Sequence, residues 1–335
     1  MEEKGRIGIP RALMYYRYFP LWHTFFEEIG WSVVVSDGLG KTGKIIYFED
    51  SCLPMKLMVT HAVSLQDKAD HLFVPRLVSL HRSYIMCPKF RGAPDVVRLA
   101  TEGKISIIDE TVDLQSRNHS LLQSFLRIGE KLGASKKEAK QALKKGEQVY
   151  SKFKEESIDR INGLPLRDLF QLRIPTPGKR KESTLRVAFV GHPYNLFDSD
   201  INKDIFTLTK SLGIEIFTSD FLSEKEIDRE LSDLSKEIYW SSGREIVGAL
   251  FHFLKGGVDG VVFLTSFKCG IDALLQEFIK RSRKVHGGAN VPFLVLSFDE
   301  HTGREGLLTR LEAFKDVMEQ RKAPNSKHQI PKKSQ

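Results

Sequence analysis

The feature that most constrains the fold is a repeated alternation of short apolar segments with longer amphipathic ones. Early in the chain, strand-like stretches such as WSVVVS and HLFVPRL alternate with stretches of helical spacing such as LPMKLMVTHAVSLQDK. Consecutive strands that are separated by helices pair in parallel rather than as hairpins. The same alternation returns after residue 184, from LRVAFVG to VPFLVLSFD. The sequence therefore predicts an α/β fold with parallel sheets.

The two alternating regions are separated by a segment of helical character. It contains SLLQSFLRIGEKLG and KKEAKQALKKGEQVYSKFKEE and ends in the proline- and charge-rich stretch RIPTPGKRKEST. A chain of 38.2 kDa is long enough for two hydrophobic cores. We predict two flavodoxin/Rossmann-like doubly wound parallel-sheet domains with a helical connecting segment. The predicted bounds are an N-terminal α/β domain at 1–115, the helical segment and linker at 116–183, a C-terminal α/β domain at 184–322 and a disordered basic tail at 323–335.

Composition excludes several classes of protein. No apolar run approaches the roughly 20 residues that a transmembrane helix needs, and the start of the chain, MEEKGRIGIPRAL, lacks the apolar core of a signal peptide. Three cysteines in 335 residues do not make a disulfide framework. The net charge of +8 comes largely from helix-like surface and the C-terminal segment, without a nucleic-acid-binding motif. We predict a cytoplasmic protein that binds neither membranes nor nucleic acids.

The three cysteines occupy similar positions although they are far apart in sequence. Cys52 and Cys269 come just before predicted helices, and Cys87 lies in the loop after a predicted strand. Ligands of parallel α/β sheets gather at such loops, and helix starts favour thiolates. The residues alone leave three options open: buried thiols of the core, ligands of an iron–sulfur cluster with one open iron, or ligands of a zinc ion. For zinc, a fourth ligand would come from His61, His81 or His192.

Basic side chains near two of the cysteines indicate a candidate anion site. Lys56 follows Cys52 by one helical turn, while Arg76 and Lys89 flank Cys87 in sequence. These side chains would hold an anionic ligand or an electron-rich centre. A solvated cationic surface is the alternative, and His61 on the predicted helix is explained equally well by packing.

Two polar segments follow strands of the second α/β region. GHPYNLFDSDINKD supplies His192, Tyr194 and Asn195 as candidate walls of a cleft. SFDEHTGREG supplies Asp299 and Glu300 as candidate acid or base groups. Both segments lie at the carboxyl ends of strands, where such sheets bind ligands. Capping of the following helix is the alternative for the two acidic residues.

Several blocks of the sequence resemble a known family. EDSCLPMKLMVTHAVSL, CPKFRGAPDVVR, VGHPYNLFDSDIN, KCGIDAL and DEHTGREGLLTRLEAF are similar, in this order, to acyl-CoA dehydratase activase-related proteins of the DUF2229 type. That family is related to the subunits of 2-hydroxyacyl-CoA dehydratases and of benzoyl-CoA reductase. The similarity runs from about Arg6 to Met318 and weakens in the helical segment.

The resemblance implies a 4Fe–4S cluster that is held by three cysteine ligands, Cys52, Cys87 and Cys269, between two flavodoxin-like domains. It also implies a separate activator with an actin-like ATPase fold that delivers low-potential electrons, a homo- or heterodimer with a related subunit, and an acyl-CoA or related substrate. We expect no such ATPase domain in this chain. In agreement with that, residues 38–45 nearly match a phosphate loop, but Ile45 replaces the magnesium-binding hydroxyl.

The chemistry beyond the cluster stays open at this point. The chain would be a dehydratase (hydro-lyase) or a reductase component that uses the cluster. The alternatives are a non-redox scaffold or binding subunit of a dehydratase-like complex, and a zinc-stabilised α/β protein.

Overall fold

The computed structural model describes residues 4–39, 45–46, 48–159, 185–219, 222–234 and 236–322. These residues form two four-stranded parallel sheets and one two-stranded parallel sheet, flanked by helices, so the predicted fold class is confirmed. Most of the predicted linker and the basic tail lie outside the described residues, and the domain bounds stay predictions. None of the helices within the described ranges has the length and apolar character that crossing a membrane requires.

The first α/β region contains one larger and one smaller parallel sheet. Its strands are β1 (Arg6–Ile9), β2 (Ser32–Val35), β3 (His71–Phe73), β4 (Arg76–Ser79), β5 (Ser106–Ile108) and β6 (Thr111–Asp113). Four of them pair in the order β2-β1-β3-β5, and β4 pairs separately with β6. The helices of this region are α1 (Tyr15–Glu28), α2 (Leu53–Ser64) and α3 (Pro88–Ala100).

Two stretches that the sequence predicts as single strands are each divided. HLFVPRL becomes β3 and β4, and KISIIDETVD becomes β5 and β6. Pro75 explains the first division, because proline has no N–H to donate to a strand ladder. The partner strand divides with it: Val74 N–H donates to Ile108 O, and Arg76 N–H donates to Glu110 O. The prediction of one continuous strand in each stretch is therefore wrong.

The helical segment packs against the first α/β region. It consists of α4 (Leu121–Lys131) and α5 (Lys136–Asp159), and α5 runs along α1. Glycine permits the closest approach, since a β-carbon at Gly146 would lie 2.9 Å from the carbonyl oxygen of Leu21 on α1. The position of this segment places aromatic residues of α5 beside α1.

The second α/β region is built around a four-stranded parallel sheet. Its strands are β7 (Arg186–Gly191), β8 (Glu215–Thr218), β9 (Gly260–Ser266) and β10 (Phe293–Phe298), in the order β10-β9-β7-β8. Strand β9 is buried along its whole length. The helices are α6 (Pro193–Phe197), α7 (Ser199–Asn202), α8 (Ile205–Ser211), α9 (Glu224–Leu231), α10 (Ser241–Lys255), α11 (Gly270–Ser282) and α12 (Arg304–Lys322).

Both four-stranded sheets have the same topology. In each, the first strand lies inside, the second strand lies on one side of it, and the later strands lie on the other. The strand order therefore reverses between β1 and β3, and again between β7 and β9. Such reversals are where doubly wound sheets bind ligands, at the carboxyl ends of the strands. His192 follows β7 directly, and Cys269 lies just beyond β9.

The two α/β regions contact each other through backbone and side chains. Ile85, in the loop before α3, forms a parallel bridge with Trp240 at the start of α10. Arg17 on α1 forms an ion pair with Glu245 on α10 at 2.7 Å. One hydrophobic cluster contains core residues of both sheets. This junction is where the candidate site lies.

Candidate metal centre

Each of the three cysteines immediately precedes a helix. Cys52 is the N-cap of α2, Cys87 is the N-cap of α3, and Cys269 is the N-cap of α11. Proline in the first turn of α2 and of α3 fixes the start of those helices, because its missing N–H would have no partner there anyway. All three thiols thus lie next to the positive end of a helix dipole.

The backbone is strained just before two of these cysteines. Asp50 has φ of 56° and Lys268 has φ of 65°, both in the left-handed region that non-glycine residues rarely adopt. Each such residue costs on the order of 1 kcal/mol. Lys89 Nζ donates a hydrogen bond to the carbonyl oxygen of Asp50 at 3.0 Å, so it supports the strained turn beside Cys52.

Burial and the helix starts act in opposite directions on the thiols. Burial raises the pKa of Cys52 and of Cys87, while the backbone N–H groups of Met55 and Lys89 lower the pKa of these two thiols. Burial also raises the pKa of Cys269, whereas the backbone N–H of Asp272 lowers it. None of the three thiols makes a side-chain capping hydrogen bond of regular geometry to its own helix.

The thiols also shift the pKa values of one another. After burial and the N–H of Met55, the charge of Cys87 raises the pKa of Cys52. Smaller contributions from Cys52 and Cys87 raise the pKa of Cys269. Tyr194, which is 6% exposed, has its pKa raised first by burial and then by the charges of Cys269, Asp272, Cys52 and Cys87. The charges of all three thiols therefore act on one buried tyrosine, and Cys87 packs against both hydrophobic clusters.

A second group of polar atoms lies beside Cys269. The ligand atoms of His192, Cys269 and Asp272 are all within 4.8 Å of one another. His192 Nε2 lies 2.9 Å from Asp272 Oδ1, but the two atoms are outside hydrogen-bonding geometry, and neither has a hydrogen-bond partner within the described residues. The His192 ring stacks on Tyr194 with ring centres 4.9 Å apart.

These atoms fit a metal better than they fit a nucleophilic cysteine. A reactive thiol needs a lowered pKa, whereas burial and then Asp272 raise the pKa of Cys269. A bound metal ion deprotonates a coordinating thiol outright and satisfies buried nitrogen and oxygen atoms that have no partner. The donor set of sulfur, imidazole and carboxylate suits a transition metal.

Lys56 and Glu300, both candidates from the sequence, form an ion pair with each other. Lys56 lies on α2 and is 2% exposed, and its Nζ donates to Glu300 Oε1 from the loop before α12. Partial burial acts to raise the pKa of Glu300, but the hydrogen bond from Lys56, a backbone hydrogen bond and the charge of Lys56 together outweigh it and lower that pKa. The pair joins the two α/β regions near the start of α2.

The two other basic candidates have different surroundings. Lys89 lies close enough to the thiols of Cys52 and Cys87 to lower the pKa of both. Arg76 instead forms ion pairs with Asp95 at 2.7 Å and Asp109 at 3.7 Å.

The histidines proposed as zinc ligands lie in three different environments. His61 is buried on α2, and burial followed by the charge of Arg11 lowers its pKa to about 4. His81 accepts a hydrogen bond at Nδ1 from Ser83 N–H and its ring lies 4.6 Å from that of Tyr84. Among the residues that the structure describes, only His192 of these three belongs to a group of potential metal ligands.

Asn195 connects α6 to the end of β9. Its Nδ2 donates to Leu264 O at 3.2 Å, and its Oδ1 accepts from the Ser266 hydroxyl at 2.7 Å. These bonds hold the segment after β7 against β9 and so set the position of His192 and Tyr194. In the structure, this polar segment forms two short helices, α6 and α7.

Sequence reasoning missed Asp272. This residue is 1% exposed in the first turn of α11, where Oδ2 accepts from Ser266 N–H at 3.4 Å. The signal was its spacing, since a residue three positions after an N-cap faces back toward that cap. Cys269 and Asp272 have this spacing.

Comparison with known proteins adds a family similarity. The profile of a family described as CoA enzyme activase uncharacterised domain (DUF2229) matches residues 6–222. The matched span is well over half of the chain and contains Cys52, Cys87 and His192, whereas Cys269 and Asp272 lie beyond it. The comparison with curated protein sequences found no significant match.

A comparison of folds found the SBP FpvC from P. aeruginosa in complex with Ni2+. It is 13% identical over 95% of this chain and 98% of that chain, with a TM-score of 0.29. At this TM-score the similarity supports no conclusion about this protein.

Proposed function

The chain belongs to the family described as CoA enzyme activase uncharacterised domain, and on this premise we propose that it is an iron–sulfur protein of the 2-hydroxyacyl-CoA dehydratase-like kind. In this proposal, Cys52, Cys87 and Cys269 hold one 4Fe–4S cluster at the junction of the two α/β regions. The protein receives low-potential electrons from a partner and passes them on.

One observation carries the proposal. The three cysteines lie at three separate helix starts in the two α/β regions. Cys87 packs against both the hydrophobic cluster that Cys52 contacts and the one that Cys269 contacts. Thiolate is the usual ligand of iron–sulfur clusters, and three thiolates leave one iron of a 4Fe–4S cluster open.

The surrounding residues would tune such a centre. When bound, the cluster supplies one-electron chemistry and one open coordination position. The N–H groups of Met55, Lys89 and Asp272 lie near the three sulfur atoms, and such donors stabilise the more negative, reduced state. The Lys89 ammonium acts in the same direction, while the buried Asp272 carboxylate acts against it.

The family description points to a system in which one protein activates a CoA-dependent enzyme. We propose that the electron donor is a separate activator with an actin-like ATPase fold. Dimerisation with a related subunit and action on an acyl-CoA substrate belong to the same proposal.

A second candidate rests on the group beside Cys269. His192, Cys269 and Asp272 have the donor atoms of a mononuclear zinc site, and two of those atoms have no hydrogen-bond partner within the described ranges. In that case the metal would stabilise the junction between the α/β regions without redox chemistry, as in a scaffold subunit.

The test is the metal content of protein that is purified without oxygen. Iron, acid-labile sulfide, zinc and the visible spectrum are measured for the parent protein and for Cys52→Ser, Cys87→Ser and Cys269→Ser. The proposal predicts about four irons and four sulfides per chain, lost in each variant. One zinc without sulfide would support the second candidate, and protein without metal would contradict both.

Two further variants sharpen this test. Asp272→Asn removes a carboxylate ligand of the mononuclear site but no ligand of the proposed cluster, so zinc would be lost and iron retained. Ser106→Ala changes an exposed side chain on β5 and serves as the control, with metal content unchanged.

A further inference from the structure

A cleft with a volume of about 210 Å³ lies between the two α/β regions and the helical segment. Helices α1, α5, α9 and α10 and the loop before α3 all contribute to its lining. Four aromatic side chains, named here the aromatic wall, line one part of it: Tyr18, Tyr84, Tyr150 and Phe153. Tyr18 and Tyr150 pack together with ring centres 5.3 Å apart. The lining also includes Ser241 and Ser242 from the start of α10, and His192.

The start of α10 presents backbone donors to this cleft. Its N-cap is Trp240, which provides no side-chain acceptor. Ser241 N–H donates to Ile85 O at 3.0 Å, but the next N–H groups of a first helical turn have no acceptor within the helix. A helix of 15 residues also carries a partial positive charge at this end, which favours an anion.

One buried residue in the lining has a side-chain polar group without a partner. Ser242 is 8% exposed, and no hydrogen bond joins its hydroxyl to another described residue. Because Ser242 lines the cleft in the first turn of α10, its hydroxyl can donate to an anion bound there. His192 also lines the cleft, but its Nε2 lies 2.9 Å from Asp272 Oδ1 and belongs to the candidate metal centre.

The charged residues of the lining largely neutralise one another. Arg17 forms an ion pair with Glu245, and Arg244 forms one with Asp228 while its guanidinium lies 3.9 Å from the Tyr84 ring centre. Lys154 and Glu224 add one charge of each sign, so the lining carries no net charge from its lysine, arginine, aspartate and glutamate side chains, and a polyphosphate is not favoured. A single negative charge is matched by the start of α10.

We propose that the cleft binds a small aromatic carboxylic acid, with its carboxylate at Ser242 on the first turn of α10 and its ring against the aromatic wall. The volume is below the roughly 300–1,000 Å³ of sites for drug-sized ligands, so the ligand is small. This inference goes beyond the proposed function, because an acyl-CoA thioester has no free carboxylate. His192 lines the cleft and also neighbours Cys269, so the cleft adjoins the candidate metal centre.

The first experiment is calorimetric titration of the purified full-length protein with three probes. 3-Phenylpropionate has both the carboxylate and the ring, 3-phenylpropan-1-ol lacks the charge, and acetate lacks the ring. We expect 3-phenylpropionate to bind at least tenfold more tightly than either of the other two. Equal affinity for the acid and the alcohol, or no binding of the acid at millimolar concentration, would overturn the proposal.

The second experiment uses variants that change the cleft but keep the fold. Ser242→Ala removes the hydroxyl at the carboxylate position, and Tyr84→Ala shortens the aromatic wall at a half-buried residue. Each is expected to weaken 3-phenylpropionate binding about tenfold, while Ser106→Ala leaves it unchanged. Unchanged binding by Ser242→Ala would overturn the assignment of the carboxylate position.

Metal content measured on the same samples separates this inference from the proposed function. Samples that contain iron and sulfide but do not bind the acid overturn the cleft assignment and leave the cluster intact. Samples that bind the acid without iron or sulfide support the cleft and contradict the cluster.

Discussion

At the scale of single residues, the three cysteines are unusual helix caps. Serine, threonine, aspartate and asparagine are preferred at this position because their oxygen accepts a backbone N–H, and lack of such a cap costs on the order of 1 kcal/mol. A thiol is a weak acceptor, and none of Cys52, Cys87 and Cys269 makes a regular capping bond. The presence of three weak helix caps at one junction is explained if their sulfur atoms are metal ligands.

The same reasoning makes serine an informative substitution. In metal-free protein, Cys87→Ser should cap α3 better and leave the free energy of unfolding unchanged or raise it by about 0.5–1 kcal/mol. Urea unfolding of the metal-free parent protein and variant measures this. A loss of stability would mean that the cysteine serves packing rather than a metal.

Asp198 provides a pH-dependent test of the junction at the residue scale. Burial and then the charge of Asp200 raise its pKa to about 7. In the unfolded chain, the aspartate carboxyl titrates near pH 4. Between about pH 4 and about pH 7, the raised pKa of the folded state therefore lowers the free energy of unfolding progressively, and below that range it has no effect. The Asp198→Asn side chain cannot ionise. Its amide oxygen can still accept the hydrogen bond that Asp200 N–H donates to Asp198 Oδ1 at 2.9 Å in the parent protein.

We expect the stability of Asp198→Asn relative to the parent protein to rise between about pH 4 and about pH 8 by up to about 4 kcal/mol. Urea unfolding at both pH values measures the change. Asp67→Asn, at an exposed position, is the control and should follow the parent protein. A parallel pH dependence of Asp198→Asn and the parent protein would show that Asp198 titrates normally.

At the scale of elements, hydrophobic patterning predicted most helices and strands, because apolar periodicity reflects one buried face. It failed where tertiary contacts determine the local secondary structure. Pro75 ends β3, and β5 breaks beside it, although only the first break has a signal in its own sequence. The segment after β7 forms short helices, in which Asn195 hydrogen-bonds to Leu264 and Ser266, residues far away in the chain.

Packing of α5 on α1 gives a prediction at this scale. In Gly146→Ala, the added β-carbon would lie 2.9 Å from Leu21 O, so the helices must separate. We expect a net loss of about 1–2 kcal/mol in the free energy of unfolding, after the roughly 1 kcal/mol that alanine contributes as a better helix former.

Gly92→Ala on α3 is the matched control. An added β-carbon there meets nothing within 4 Å, so the substitution should stabilise the protein. Urea unfolding compares the two variants. A gain in stability for both would show that α5 does not pack tightly on α1.

At the scale of the whole molecule, the two sheets place their ligand-binding ends at one junction. The sequence predicted two doubly wound regions and the positions of the three cysteines at loops or helix starts, because both depend on local patterns. The cleft beside His192 could not be predicted from such patterns, since it depends on how the regions pack together. Asp272 was missed although its spacing from Cys269 is a local signal. Lys56 and Glu300 were predicted separately, and the fold turns them into one ion pair.

That ion pair tests the packing of the two regions. Glu300→Gln would leave the 3% exposed Lys56 side chain without its carboxylate, so we expect the free energy of unfolding to fall by about 1–3 kcal/mol. The double variant Lys56→Met, Glu300→Gln should recover part of the loss. Glu312→Gln, at an exposed position on α12, should have little effect. Equal stability of Glu300→Gln and Glu312→Gln would contradict the contact.

The most direct test of the central claim is the intact mass of the protein, purified without oxygen and measured under native conditions, compared with its mass after denaturation. The account predicts a difference equal to four irons and four sulfides, present in the parent protein and absent in Cys269→Ser. A difference equal to one zinc, or no difference at all, would contradict a cluster held by Cys52, Cys87 and Cys269.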